Sequence, residues 1–383
     1  MNEIKNLQKA ANRIKEAIKK KENIVIFADN DMDGSCSAII LKECINNLGG
    51  RIGRIYFPDR ETEGYGLNPI ALEKLKSQAP GLLVTLDCGI GNFTEITVAR
   101  ELGFSTIIID HHIVLDKVPK ADIVVDPNQK GDRYPFKKLA NVGLAYKLSF
   151  LLMGEKMTES LKRDFVGLAA MATIADMVER SGDNEEIIIE GLAVLEESWR
   201  PGIQALLAIE SVKALSSTNK VNKMNSLLSI RMIDENNISV PYKLLTIANI
   251  EDAGRMVEDL LVKNQEKKRK IKEVVSEVDR NVSGKRDPVI LEGSSSWEMI
   301  LLGISGSLLV EKHNKPVFLY KKGSEFSQGS VRSPKVYDIV VAMKHCAKHL
   351  EVYGGHPQAG GFKLKTENIE KFRECLIDYF DNL

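Results

Sequence analysis

The chain has 383 residues, enough to bury a large core and to divide into two domains or a little more. Its 53 basic and 53 acidic residues cancel, so no global field draws it onto nucleic acid or a membrane, and any polyanion site must be local. Five cysteines, Cys36, Cys44, Cys88, Cys346 and Cys375, are scattered without a C-x-x-C pair, which speaks against a disulfide framework or a structural zinc site and fits a reducing cytoplasm. No apolar run is long enough to span a bilayer. The N-terminal MNEIKNLQKAANRIKEAIKKK carries Glu3 and Glu16 among its lysines instead of an apolar signal core, so no targeting is expected.

Leu7, Ala11, Ile14 and Ile18 recur at helical spacing, which predicts an amphipathic helix over residues 4 to 20 lying on the sheet of the first strand. Next comes IVIFADNDMDG (24 to 34), a β-branched run that breaks into acids at alternate positions. Alternate side chains of an extended segment point the same way, so Asp29, Asp31 and Asp33 would crowd their carboxylates together unless a cation sits among them. A calcium loop of the EF-hand kind needs a bidentate Glu at its twelfth position, where this chain has Ile40. An Asx-rich turn after a strand is the plainer alternative.

After the acidic loop, SCSAIILKECINNLG reads as a helix ending at Gly49 and Gly50, and RIGRIYFPDR as a second strand. The rhythm continues through helix NPIALEKLKSQ, strand GLLVTLDCG, helix FTEITVARELG, strand STIIIDHH and the short run ADIVVDP. Runs such as LLVT and TIII are apolar on both faces, as in a parallel sheet covered on each side, so the expected fold is Rossmann-like α/β. Ligands of such sheets bind beyond the carboxyl ends of the strands, where Asp29, Asp31, Asp33, Asp87, Asp110, His111, His112 and Asp126 all fall. No G-x-G-x-x-G follows the first strand and no P-loop occurs to compete for that edge.

From about residue 139 the pattern turns helical, with LANVGLAYKLSFLLM, then LKRDFVGLAAMATIADMVE, then a less regular span to about 250. Asp176 stands alone among small and apolar residues, either at a helix end reaching solvent or placed to meet something charged; the second reading is favoured. Residues 251 to 282 hold no proline and one early glycine and read as one long helix. Its cluster Lys267, Lys268, Arg269, Lys270 and Lys272 is read as a solvated face ahead of a phosphate-contacting patch. A fresh α/β unit begins near Pro288, running through PVILEG, WEMILLGISGSLLVEKHN, KPVFLYKK, SQGSVRSP and YGGHPQAGGFKL. SQGSVRSP and YGGHPQAGG read as glycine-bearing loops.

Divalent cations that assist phosphoryl transfer want oxygen ligands and tolerate imidazole, and a paired site needs one carboxylate to bridge both ions. Singly, Asp87 could cap a turn and His111 with His112 could be a surface pair; four such coincidences at one sheet edge are improbable. The run IIIDHH (107 to 112), preceded by FADNDMDG and TLDCG, resembles the DHH phosphoesterase superfamily. GYGLN, LDCGI, LANVGLAYKL, GLAAMATIADMVE, the RPGI after Trp199, GSVRSP and GGHPQAGG resemble the core of RecJ-type single-strand exonucleases, in the same order along nearly the whole chain.

That resemblance implies a metal-binding DHH domain over 1–250, a connecting helix over 251–283 and a smaller α/β DHH-associated domain over 284–383. It implies two Mn²⁺ or Mg²⁺ ions, one held by Asp31 and Asp87, the other by Asp33, Asp87, His111 and Asp176, with Asp87 bridging. Asp29 or a water would supplement the first ion, because Phe27 stands where some members of the superfamily place a metal-binding histidine. His112 would face the substrate phosphate and Asp110 would fix an imidazole through its ring N–H. In the second domain Arg332 and His356 would clamp phosphates, with Ser333, Gly354 and Gly355 beside them.

The implied activity is metal-dependent release of mononucleotides from an end of single-stranded DNA, the 5′ end by family resemblance, with DNA ahead of RNA as substrate, replication or repair proteins as partners, and no membrane. The chain ends soon after GGHPQAGGFKL, which implies the core without the further OB-type domain of longer bacterial relatives. SIRMIDENN only loosely resembles the Asn-Ala-Ala-Gly-Arg segment of the family. Short RNA or cyclic dinucleotides could occupy the same site, as in smaller DHH proteins. A replication-associated scaffold is the reading from another class, but a scaffold would have no use for the motif acids.

Overall fold

The computed structural model describes residues 3–114, 117–229 and 232–383, so Ile230 and Arg231 of SIRMIDENN lie outside the described residues. The chain forms two compact units, Met1–Leu261 and Val262–Leu383.

The first unit is the expected α/β layer. Strands β1 (Ile24–Ala28), β2 (Ile52–Tyr56), β3 (Gly81–Leu86), β4 (Phe104–Ile109) and β5 (Ile123–Val125) form one parallel sheet in the order β2-β1-β3-β4-β5. All five residues of β1 are buried, which is why its apolar run shows no alternation. Helices α1 (Leu7–Lys20), α2 (Met32–Asn47), α3 (Pro69–Leu75) and α4 (Phe93–Glu101) come between or beside the strands. The helical half adds α5 (Asn141–Met153), α6 (Glu159–Ala175) and α7 (Gly182–Leu195), and the less regular span resolves into α8 (Pro201–Leu207), α9 (Glu210–Lys213), α10 (Ser217–Leu228) and α11 (Val240–Leu245). A buried ion cluster ties these layers. Arg200, 2% exposed, donates to both carboxylate oxygens of Asp164 (2.8 and 2.6 Å), to Glu43 (2.6 Å) and to the Leu245 carbonyl (2.9 Å).

The register fixes the functional edge. Ala28 pairs with Leu86, Leu86 with Ile109 and Ile109 with Val125. The next residue on each strand is Asp29, Asp87, Asp110 and Asp126, so four acids begin the loops of one row. The chain order reverses between β1 and β3, the usual place for a ligand in such sheets.

One local expectation is corrected here. The acids 29, 31 and 33 do not lie on an extended segment, because α2 begins at Met32, three residues before the predicted start. Asp31 is its N-cap, accepting from the Gly34 N–H at 3.1 Å, and Asp33 lies in the first turn. Gly34 is required by closeness: a Cβ there would stand 2.3 Å from the Asp29 carbonyl oxygen.

Helix α12 (Ile250–Val282) is unbroken. Ala253, Val257 and Leu260 join the core of the first unit, and Val274 and Val278 that of the second. In its basic run, Arg269 pairs with Glu273 and Lys270 with Glu298, as on a solvated face.

The second unit holds β6 (Ile290–Ser294), β7 (Val317–Lys321), β8 (Phe326–Arg332), β9 (Val352–His356) and β10 (Ala359–Lys365) in the order β6-β7-β8-β10-β9, with α13 (Met299–His313), α14 (Ile339–His345) and α15 (Ile369–Asp381). Only β6 and β7 run parallel. The segments read as glycine-bearing loops are strands: SQGSVR lies in β8 and VYGGH pairs with AGGFK as a hairpin. The glycines serve close strand packing, as at Gly329, where a Cβ would stand 2.1 Å from the Leu319 carbonyl oxygen. The cysteine expectation is corrected too. Cys346, just past α14, is bridged to Cys375 on α15, which helix packing brings within 5.9 Å at the Cα atoms; Cys36, Cys44 and Cys88 are free and buried. Among the described residues no helix is long and apolar enough to cross a membrane.

Candidate metal centre

Asp33 projects from the first turn of α2 onto the start of α5, where its carboxylate accepts from the N–H groups of Asn141 (2.8 Å) and Val142 (2.6 Å). Asp87 follows β3 in a left-handed conformation with φ 61°, uncommon for a residue with a side chain. His111 follows β4, its carbonyl held by the Asn128 side-chain amide at 2.8 Å. Asp176 is not inside its helix but is the C-cap of α6, so it both ends the helix and meets a charged neighbour.

These side chains converge. His111 Nε2 lies 3.2 Å from Asp87 Oδ1, 3.7 Å from Asp176 Oδ2 and 3.9 Å from Asp33 Oδ2. Asp87 Oδ1, His111 Nε2 and Asp176 Oδ2 are all buried and lack any hydrogen-bond partner. Unpaired acceptors of this kind are costly unless something positive completes them. Three groups place their donor atoms within 4.8 Å of one another: Asp29, Asp31 and Asp87; Asp33, His111 and Asp176; and Asp87, His111 and His112. Carboxylate oxygens with none, one or two imidazoles form donor sets that fit Mn²⁺ or Mg²⁺.

The electrostatics agree. Burial, then the charge of Asp31, pushes Asp33 up to about 7, although the two backbone donors pull the other way. Burial and the charges of Asp31 and Asp33 raise Asp87 well above the carboxylate range. Asp176 is pushed up to about 7 by burial and by Asp33. Burial lowers His111, keeping the imidazole neutral and able to act as a ligand. Asp29 differs, because its carboxylate is paired with Arg60, whose Nε donates at 3.0 Å and whose Nη2 also contacts Asp31 at 3.5 Å.

Asp110 is fully buried and accepts from Ile90 N (3.0 Å), His111 N (2.8 Å), His112 N (3.2 Å) and His112 Nδ1 (2.7 Å). The imidazole it holds is therefore that of His112. Burial is the largest single influence and works against both charges, but the shared hydrogen bond and the mutual attraction of the pair together outweigh it, so Asp110 is lowered and His112 raised. Tyr65 closes over this pair, its hydroxyl donating to the Asp87 carbonyl at 3.0 Å and lying 3.3 Å from His112 Nδ1. Asp126 is buried and pushed up to about 8 by burial, one oxygen accepting from Asn128 N (2.7 Å) and the other without a partner.

Reasoning from the sequence missed Arg60, Tyr65, Asn128 and Asn141. Arg60 and Asn128 lie in the polar ends of FPDR and DPNQ, immediately past strands, where the rule that found the acids applies equally. Asn141 in LANVG carried no such signal.

In the second unit Arg332 ends β8, and its Nη1 donates to Ser330 Oγ (2.9 Å) and to the Val331 carbonyl (2.7 Å). It is half-buried, which pulls its guanidinium below its usual value, and no carboxylate pairs with it among the described residues. Arg332 pairs in register with Ala359, and Ala359 with His356, so Arg332 and His356 share one row two strands apart. His356, Gly354 and Gly355 are exposed. Ser333 donates its N–H to the Gln358 carbonyl at 3.0 Å and turns its hydroxyl to Pro334.

Comparison with known proteins fits this geometry. Residues 23–173 match the DHH family, N-terminal domain, and residues 286–382 match the DHHA1 domain. The single-stranded-DNA-specific exonuclease RecJ of Bacillus subtilis is 32% identical over 387 residues, covering 99% of this chain and 48% of that protein. The Thermus thermophilus protein of the same name is 28% identical, covering 98% of this chain and 54% of the relative. The chain thus spans about half the length of these two relatives. Among solved structures, exonuclease RecJ bound to manganese superposes with a TM-score of 0.84 at 24% identity, covering 100% of this chain and 96% of that one. RecJ of Thermus thermophilus in complex with Mn²⁺ gives 0.81 at 23%, covering 99% and 55%. The two domain matches in this order, with a DHH signature whose acids and histidine meet at one sheet edge, make the chain a member of the DHH phosphoesterase superfamily, of RecJ-like type.

Proposed function

We propose that the protein is a metal-dependent exonuclease that hydrolyses phosphodiester bonds of single-stranded DNA from an end, the 5′ end by its likeness to RecJ, and releases mononucleotides. The observation that carries this reading is the meeting of three buried, unpartnered ligand atoms, Asp87 Oδ1, His111 Nε2 and Asp176 Oδ2. Asp31 and Asp87, supplemented by Asp29, would hold one divalent cation; Asp33, Asp87, His111 and Asp176 would hold the other. Mn²⁺ or Mg²⁺ bound there supplies the Lewis acidity and paired positive charge that phosphodiester hydrolysis requires.

The chain's own groups do the rest. Asp110 accepts the Nδ1 proton of His112 and leaves Nε2 to meet a phosphate oxygen. Helix α5 holds Asp33 in place through two N–H groups, so the carboxylate need not reorganise during the reaction. Arg332 at the end of β8 and Ser333 just past it, with Gly354, Gly355 and His356 on β9, would bind the nucleic-acid backbone. Replication or repair proteins are the partners proposed for such an activity.

The test is digestion of 5′- and 3′-labelled single-stranded DNA and RNA with Mn²⁺, read by product length. Mononucleotides from the 5′ end of DNA are expected. Absence of hydrolysis with every divalent ion, or full activity in Asp87→Ala, would overturn the reading.

A further inference from the structure

Asn141, the first residue of α5, is completely buried. Its backbone N–H is one of the two donors to Asp33. With the amide oriented to satisfy both of its ends, Nδ2 donates to the Ile109 carbonyl (2.9 Å), and Oδ1 accepts from Ser37 Oγ (3.0 Å) and from the backbone N–H of Asp87 (3.0 Å). One residue therefore touches α2 through Asp33 and Ser37, the turn after β3 through Asp87, and the last residue of β4, two positions before His111.

The contact at Asp87 matters most. A left-handed residue with a side chain must be held by its surroundings, and the Asp87 N–H is gripped by the Ile109 carbonyl (3.0 Å) together with the Asn141 amide. The direction of the Asp87 carboxylate follows from that backbone conformation. We infer that Asn141 is a positioning residue for the metal pair: its amide locks the start of α2, the turn after β3 and the end of β4 in register so that Asp33, Asp87 and His111 face one point. This rests on reading the carboxylate cluster as a divalent-metal site. The plainer reading makes Asn141 a satisfied buried amide that only supports the fold, and the two differ in what metal affinity does.

Asn141→Ala removes the amide but keeps both backbone donors to Asp33. Ser37→Ala is the milder variant, removing only the hydroxyl that orients the amide. Mn²⁺ affinity is measured on the full chain by calorimetric titration, beside the melting temperature without metal, with Asp87→Ala as reference. Supporting ligand orientation of this kind is commonly worth about 10–100-fold in metal affinity. The expected result is a loss of about tenfold or more in Asn141→Ala and a few-fold loss in Ser37→Ala, the latter with an unchanged metal-free melting temperature. Affinity within twofold of wild type in a folded Asn141→Ala protein overturns the inference. If that variant does not fold, wild-type affinity in Ser37→Ala overturns it instead. Wild-type affinity in Asp87→Ala would remove the metal reading and this inference with it, whereas loss in Asp87→Ala alone removes only the inference.

Discussion

In the first unit the buried Asp33 and Asp87 and the half-buried Asp176 lie side by side with raised pKa values, while in the second unit Arg332 rests on its neighbour Ser330 and a main-chain carbonyl. The cluster is incomplete by itself: charging Asp33 in place costs roughly 4 kcal/mol relative to water, judged from a value near 7 against 3.8. Arg332 is held only by neutral oxygens through Nη1, with no carboxylate partner among the described residues, so an anion there would add a charge-assisted hydrogen bond to a side chain the fold already positions. The contrast suggests that affinity for cations is built into the fold of one unit, whereas any grip on phosphate in the other would come from a charge the fold holds in place.

The sharpest way to break the comparison is Asp87→Ala, which would take the proposed shared ligand from both cation positions. Turnover on labelled single-stranded DNA should fall by about a thousandfold or more, with Mn²⁺ binding lost in the same titration. Asp29→Ala should cost less, about tenfold, because Arg60 already neutralises that carboxylate. Equal losses would show that Asp87 is not the bridge.

Proton linkage gives the next effect. Asp33 and Asp176 hold protons up to about 7 in the folded chain but only to about 3.8 when unfolded. Between those values the folded state binds more protons, so these groups make the metal-free protein less stable as pH rises from about 4 to about 7, and contribute no further change above that. Mn²⁺ must displace the same protons, so its affinity should climb by about tenfold per pH unit for each proton released, with the share due to Asp33 and Asp176 levelling off above about 7. Melting curves with and without Mn²⁺ at pH 5.5 and 8 would show the larger metal shift at pH 8; a shift independent of pH would mean the cluster is already ionised.

In the second unit Arg332→Ala should raise the Michaelis constant about tenfold with Mn²⁺ content unchanged, the loss expected for a charge-assisted hydrogen bond to phosphate. Arg332→Lys, which keeps the charge without the planar fork, should recover part of it and give the smallest effect, a few-fold. Wild-type kinetics in both would leave the second unit without a role in substrate binding.

What was legible in the sequence follows the same division. The parallel sheet could be read because doubly covered strands are apolar throughout, and the acids because each ends such a run. The start of α2 was not, since Asp31 is both an alternate residue of an extended segment and a good N-cap, and only the packing of α2 on α5 and α6 decides between them. The glycines of β8, β9 and β10 disguised strands as loops, because strand propensity rests on side chains those positions lack. The Cys346–Cys375 bridge and the reach of Asn141 depend on helix packing, which spacing along the chain does not express.

The Arg60–Asp29 pair also has a consequence for electroneutrality. Asp29, Asp31, Asp33, Asp87 and Asp176 carry five formal negative charges when ionised, Arg60 cancels one, and Asp110 is matched by His112. The remainder is what two divalent cations would cancel. A loaded cleft would then be neutral before substrate arrives, and each entering phosphodiester would bring an uncompensated charge. Strand binding at the cleft should consequently depend little on ionic strength, whereas any contact of phosphate with Arg332 in the second unit should weaken as salt rises.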